Sequence, residues 1–202
     1  MFDDWLRHLK DRLLEPVCRQ LGPRLHPNLI SLAAFAVGVA AAGAAAQGRT
    51  GLALGLWLAN RTLDGLDGTA ARVHGLQSDF GGYLDILLDF TVYTLLPIAL
   101  VYAHPSPVNL WAVVFLLGTF FVNSASWMYL SAVLERRRQG AGAGGELTTV
   151  TMPAGIVAGT ETIVFYALFI AFPAHLATLY WAMGSLVCVN VVQRLWWAWG
   201  RL

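Results

Sequence analysis

Charge is what this sequence has least of. Of its 202 residues only 13 are Lys or Arg and 12 are Asp or Glu, 12% in all. Soluble domains carry about 25%, so this chain has roughly half the usual means of coating itself against water. That scarcity excludes an ordinary water-soluble globule and a disordered chain. A net charge of +1 gives no electrostatic ground for binding nucleic acid, and none is expected as a partner. Cysteine is nearly absent too: Cys18 and Cys188 cannot form a disulfide framework, and no Cys/His spacing suggests zinc. Hydrophobic residues make up 57% of the chain. A bilayer-spanning helix needs about 20 apolar residues, which caps the count at roughly seven or eight spans and leaves no room for a separate soluble domain. The expectation is an all-α integral membrane protein, a single domain over residues 1–202.

The apolar residues of the first 26 positions (Phe2, Trp5, Leu6, Leu9, Leu13, Val17, Leu21) recur at helical spacing, with Arg7, Lys10, Arg12 and Arg19 between them. Asp3, Asp4 and Asp11 break any continuous apolar core, so this is no signal peptide. It reads as an amphipathic helix lying in the interface, interrupted at Pro16 and ended by Pro23 and Pro27. Residues 27–202 then hold six apolar stretches, near 29–47, 51–74, 80–103, 108–134, 150–172 and 175–199. They lack the period-2 alternation of a barrel, so six transmembrane helices are expected. The stretch from Ala33 to Ala46 is rich in Ala and Gly, which suits close helix packing. If six spans alternate, Arg7, Lys10, Arg12, Arg19, Arg24, Arg136, Arg137, Arg138, Arg194 and Arg201 share one side and only Arg49 faces the other. The positive-inside rule makes the richer side cytoplasmic. The expected location is the cytoplasmic membrane, with both termini inside.

Against that background four acids stand out. Asp64, Asp67, Asp85 and Asp89 lie within otherwise apolar stretches. One Asp at a span's centre costs roughly 2.5–3.5 kcal/mol on insertion scales, so four uncompensated would cost on the order of 10 kcal/mol. Asp64 and Asp67 are three apart and Asp85 and Asp89 four apart, so each pair shares a helix face. The turn Gly75-Leu76-Gln77-Ser78 joins the two helices, and an antiparallel hairpin centred there sets Asp64 level with Asp89 and Asp67 level with Asp85. At 1.5 Å per residue, Asp64 and Asp89 lie about 16–20 Å from the turn, which calls for a water-filled cavity reaching in from the cytoplasm. Four carboxylates without nitrogen or sulfur suit Mg²⁺ or Mn²⁺, and two such ions would form a phosphoryl-transfer clamp. The alternative is pairing with arginine, but only Arg61 and Arg72 lie nearby, two cations for four anions. Asp79, just before the third stretch, reads instead as a helix N-cap. Gly65, Gly68, Ala70 and Ala71 surround one pair, and Gly81 and Gly82 precede the other, where missing side chains let a charged ligand approach the backbone.

In these residues the sequence resembles the CDP-alcohol phosphotransferase family. The family pattern D-x2-D-G-x2-A-R-x8-G-x3-D-x3-D is met at Asp64, Asp67, Gly68, Ala71, Arg72, Gly81, Asp85 and Asp89. The likeness extends to the interfacial helix, the Pro27-Asn28 lead-in and the six-span plan. Gly159-Thr160-Glu161-Thr162 looks like a bacterial subgroup related to phosphatidylglycerophosphate synthases. The resemblance implies transfer of a substituted phosphoryl group from a CDP-linked donor to an alcohol, with release of CMP. It implies that Asp64, Asp67 and Asp85 bind two divalent cations, Mg²⁺ or Mn²⁺. It implies further that Asp89 completes the cluster and serves as general base, and that Asp64, Gly68, Ala71, Arg72 and Gly81 hold the cytidine diphosphate. It also implies a homodimer.

The acceptor is read less directly. Glycerol 3-phosphate is the leading candidate, and an acceptor phosphate would call on basic groups at the cytoplasmic rim, where Arg136, Arg137, Arg138 and Arg194 are available. The Arg136 cluster is read first as a topology signal. Glu161 either lines the acceptor pocket or is a structural acid, and His74 either meets a phosphate or is solvated at the rim. Asn123, Ser124 and Ser126 are polar where lipid is expected. Trp196, Trp197 and Trp199 form an interfacial belt. The leading expectation is a membrane enzyme of phospholipid synthesis using CDP-diacylglycerol. A soluble CDP-alcohol donor with a lipid acceptor is the alternative. A divalent-metal transporter is a third reading, since intramembrane acids also mark ion paths, but beyond one hairpin only Glu161 could pass an ion onward.

Overall fold

The computed structural model describes residues 14–20, 22, 26–137 and 158–202, and those residues are helical apart from their connections. After a helical segment at 14–20 come α1 (Pro27–Ala46), α2 (Thr50–His74), α3 (Asp79–Ala103), α4 (Pro107–Arg136), α5 (Gly159–Ala171) and α6 (Leu176–Trp199), the last two joined by a 3₁₀ turn at Pro173–His175. Four of these regions, α1, α3, α4 and Pro173–Trp199, are long and apolar enough to cross a membrane. α2 is as long as α3, at 25 residues, but carries Arg61, Asp64, Asp67 and Arg72. α5 has 13 residues, and the first part of the stretch expected at 150–172 lies outside the described residues. So do Arg7, Lys10, Arg12, Arg24, Arg138 and the Gly140–Gly145 run.

The local chemistry explains where the helices begin and end. Pro27 occupies the first turn of α1, where its fixed φ and missing N–H cost nothing, and the His26 ring accepts from the Asn28 N–H. Gly75 closes α2 with φ 63°, and the Leu76 N–H reaches back to the Ala71 carbonyl at 2.9 Å, so the orphan carbonyls of the last turn are met. Ser78 caps α3, its Oγ accepting from the Gly81 N–H at 3.0 Å. This corrects the expectation for Asp79, which is the first helical residue; its carboxylate there complements the positive end of the helix dipole.

The hairpin of α2 and α3 sets Asp64 and Asp89 against the same guanidinium, that of Arg61. Its two helices come close to one another at few points along their backbones, whereas α1 packs closely along both. The Ala/Gly-rich character of α1 permits this, and Ala34, Ala41, Ala42, Ala44 and Ala45 are all buried. At Gly38 an added Cβ would stand 2.7 Å from a methyl of Val92 on α3 and 2.9 Å from Nδ2 of Asn60 on α2. Gly38→Ala should therefore overpack the three-helix junction and cost about 1–3 kcal/mol. Gly43 has open space around it, so Gly43→Ala is the matched control. Thermal unfolding in detergent checks the pair, and equal midpoints for the two variants would contradict this packing.

α4 and α6 form a second close pair, with α5 lying between it and α2. A single core joins them, running through Trp57, Val92, Leu116, Tyr166, Tyr180 and Met183. Segment 14–20 docks beside the turn end of α2. There Cys18 is buried with Ile30 and Ala70, its Sγ lying 3.8 Å from the Leu66 carbonyl. Arg137 donates to the Leu202 carbonyl at 3.1 Å, which brings the ends of α4 and of the chain together.

Candidate active site

The four acids that sequence reasoning singled out converge on one cleft. Asp64 and Asp67 of α2 and Asp85 and Asp89 of α3 all line it, with α1 contributing Ser31 and Ala34 to its wall. The i,i+3 and i,i+4 spacings do what helical geometry requires, turning both pairs toward the gap that α1 keeps open.

At the floor of the cleft lies Arg61. Its side chain is 6% exposed, against 27% for Asp64 and 25% for Asp89, so the cation sits behind the carboxylates. Nη2 donates to Asp89 Oδ1 at 2.7 Å and Nη1 to Asp89 Oδ2 at 3.3 Å, a two-pronged pairing that engages both oxygens. Nη1 also lies 3.6 Å from Asp64 Oδ2 and donates to the Tyr93 hydroxyl at 2.8 Å. Nε donates to Asn60 Oδ1 at 2.8 Å, and Asn60, itself fully buried, spends its amide on the Ala34 carbonyl at 2.7 Å. The guanidinium carbon is 4.8 Å from the Trp57 ring centroid and 5.0 Å from that of Tyr93. Arginine pairing thus holds for Asp64 and Asp89.

The wall behind Arg61 depends on a proline. Pro97 lies inside α3 and has no N–H, so the carbonyl four residues earlier, that of Tyr93, loses its helical donor. The Tyr166 hydroxyl of α5 takes the place at 2.6 Å, and the Tyr180 hydroxyl of α6 donates to the Pro97 carbonyl at 3.1 Å. The Trp57 indole donates to the Ile163 carbonyl at 3.3 Å and its ring stacks on Tyr166 at 5.2 Å. In this way α5 and α6 brace the Arg61 box without carrying a residue of the cleft.

The other candidate residues lie elsewhere. Gly68, Ala71 and Arg72 are half-buried on the last turns of α2, and Arg72 donates to Thr69 Oγ1 at 3.3 Å. Gly81 begins α3 against α1, where a Cβ would stand 3.2 Å from Asn28 Oδ1. His74 places Nε2 3.1 Å from the Cys18 carbonyl, so it ties segment 14–20 to α2. Glu161 accepts from the Ala158 N–H at 3.0 Å and caps the start of α5. Arg194 is buried against α4, donating to Asn123 Oδ1 at 3.0 Å and to Ser126 Oγ at 3.4 Å. Arg136 is exposed at the end of α4. Glu161, Arg194 and Arg136 do not line the aspartate cleft.

Sequence reasoning missed Asn60, Trp57 and Tyr93. A signal existed: Trp57 is four residues before Arg61 and Tyr93 four after Asp89, each one helical turn away on the same face.

Among the described residues no three His, Cys, Asp or Glu side chains converge closely enough to hold one ion as they stand. The donor chemistry nevertheless fits a hard divalent cation. Four carboxylates and no nitrogen or sulfur donor line the cleft, and the carboxylates of Asp64 and Asp89 keep an accessible edge in front of Arg61.

Residues 24–197 match the family model for CDP-alcohol phosphatidyltransferase. The chain is 37% identical over 194 residues to the inner membrane protein YnjF of Escherichia coli (strain K12), covering 94% of this chain and 93% of that protein. Its fold is similar to two crystal structures of Mycobacterium tuberculosis phosphatidylinositol phosphate synthase (PgsA1). The one with CDP-DAG bound superposes with a TM-score of 0.68 at 21% identity, over 91% of this chain and 92% of that one. The one in complex with manganese and citrate gives 0.70 at 21% identity, over 92% and 88%.

Proposed function

Because the chain belongs to the CDP-alcohol phosphatidyltransferase family, and so is a transferase of substituted phosphate groups, we propose that it transfers a phosphatidyl group from CDP-diacylglycerol to a small alcohol. Glycerol 3-phosphate is the first acceptor to test, and CMP is the other product. The observation that carries this reading is the single cleft lined by Asp64, Asp67, Asp85 and Asp89. CDP-DAG in one structure of similar fold and manganese in another support the choice of donor and of a divalent metal.

Asp64, Asp67 and Asp85, with Asp89 completing the set, would hold two Mg²⁺ or Mn²⁺ ions. When bound, these would neutralise the diphosphate and stabilise the leaving CMP. Asp64, Gly68, Ala71, Arg72 and Gly81 bind the cytidine diphosphate near the 75–78 turn, where small residues leave the backbone approachable. Asp89 takes the proton of the acceptor hydroxyl. The acceptor oxygen forms its bond to the phosphatidyl phosphorus as the bond from that phosphorus to the bridging oxygen breaks, and CMP departs with the electron pair. Arg136, Arg194 and Glu161 are the residues proposed to face the acceptor. Of these, Arg194 carries the group suited to a phosphate, a guanidinium, which Asn123 and Ser126 hold in place.

The cleft opens to the cytoplasm in this reading. The turn at 75–78, segment 14–20 and the Arg137–Leu202 contact are the features that support one shared basic end. The chain then crosses the cytoplasmic membrane six times, as a single domain with residues 1–26 at the interface, and works as a homodimer. A soluble CDP-alcohol donor with a lipid acceptor is the second reading, supported by the same cleft.

Purified protein given Mn²⁺, CDP-diacylglycerol and glycerol 3-phosphate should release CMP, with a phosphatidylated product in the lipid extract by mass spectrometry. Serine, inositol, inositol phosphate and choline complete the acceptor panel. No CMP from any acceptor or CDP donor, together with robust Mn²⁺ flux into proteoliposomes, would establish the transporter instead.

A further inference from the structure

The cation at the cleft floor carries an inference that the four-acid motif does not contain. We propose that Arg61 is a positioning residue, which fixes the orientation of Asp89 and competes with the divalent ions for Asp64 and Asp89. The proposal rests on the phosphatidyl-transfer reading for its turnover arm only.

The geometry supports three points. First, the guanidinium holds both Asp89 oxygens, at 2.7 and 3.3 Å, so the plane of that carboxylate is set by the plane of the guanidinium. Second, the guanidinium is itself clamped. Asn60 holds its Nε and the Tyr93 hydroxyl one amino group, while Trp57 and Tyr93 lie within 5.0 Å of its charge. A side chain fixed on so many sides cannot follow Asp89; Asp89 must follow it. Third, Arg61 is buried behind Asp64 and Asp89, whose outer edges stay accessible. A carboxylate so held presents a defined lone pair toward the cleft. The same positive charge, fixed a few Å from any ion those acids bind, opposes that ion's binding.

Two consequences separate this role from a merely structural one. Arg61→Gln removes the charge but keeps a hydrogen-bonding side chain, so ion binding should tighten while Asp89 loses its orientation. Arg61→Lys keeps the buried charge, hence ion affinity, but a single ammonium cannot present two parallel donors to Asp89.

The experiment uses the purified full chain. Mn²⁺ binding is measured by the loss of the free-ion EPR signal with no nucleotide present, and CMP release is measured separately. R61Q should bind Mn²⁺ about fivefold more tightly, the effect of removing one nearby charge in a water-accessible cleft. It should also lose about tenfold or more in kcat, with KM for the CDP donor within about twofold, since orientation and not donor binding is lost. R61K should keep the wild-type Mn²⁺ affinity within about twofold and still lose turnover, because a misaimed base is as poor as a missing one. Unchanged or weaker Mn²⁺ binding in R61Q, or full turnover in R61K, overturns the proposal. If R61Q fails to fold, R61K decides the matter through its unchanged affinity and lowered kcat. Wild-type protein that releases no CMP from any donor sinks the phosphatidyl-transfer reading, and the Mn²⁺ titration still decides the competition.

Discussion

Asp89→Asn is expected to cut CMP release by about two to four orders of magnitude, the range for removing a general base, while the donor still binds. The amide oxygen can keep the 2.7 Å bond from Arg61, while the 3.3 Å bond is lost because the amide NH2 is itself a donor. What it cannot do is take the proton of the acceptor hydroxyl. Asp89 is also not among the residues assigned to the cytidine diphosphate, so binding of a CDP donor should stay within about threefold of wild type. The checks are single-turnover CMP release and equilibrium binding of the donor. Turnover near the wild-type rate would remove Asp89 as the base, and lost donor binding would make it a ligand of the nucleotide instead. Thermal unfolding belongs beside both, because the variant leaves Arg61 with Asp64 as its remaining carboxylate partner.

The second large effect falls on the ions. Asp85→Asn removes one of the four carboxylates lining the cleft and leaves Asp64 and Asp89, the acids paired with Arg61, unchanged. Mn²⁺ affinity should fall at least about 100-fold, beyond the 10–100-fold that outer-shell changes cost, and activity should return in part at high Mn²⁺. Asp79→Asn is the control. That residue lies in the first turn of the same helix, outside the cleft, where its charge contributes a few tenths of a kcal/mol through the helix dipole at about the level of an exposed site. EPR titration of both variants decides the question: equal affinities would show that the acids of the cleft do not bind the metal.

Much of the cleft was legible because carboxylates in apolar helices are expensive. Asp64, Asp67, Asp85 and Asp89 could be read as a group from their spacing alone, and all four line one cleft. The role of Arg61 was not legible in the same way. Counting charges showed two cations, Arg61 and Arg72, near four anions, but spacing along one helix cannot tell that a guanidinium three residues from Asp64 will turn across the gap to Asp89. That depends on Tyr93, Trp57 and Asn60, ordinary span residues until their partners are known.

The helices themselves followed the hydropathy pattern, with starts at Pro27 and Pro107 and a stop at Gly75, because prolines and glycines act locally. Two details did not. The α3 cap fell on Ser78, one residue before Asp79, since both types can cap and the extended backbone of Ser78, φ −148° and ψ 152°, decides between them. The separation of the α2 and α3 backbones was not legible either, because a short turn fixes only where two helices meet, not whether they stay together. Tertiary packing decided that, through α1.

The place of α1 has a last consequence. α1 packs on both helices that carry the carboxylate pairs and forms one wall of the cleft between them, yet bears none of the acids. Selection can therefore retune the spacing of the acids by exchanging alanine, serine or glycine on a neighbouring helix, leaving the motif untouched. α1 would then act as a shim between the two carboxylate pairs.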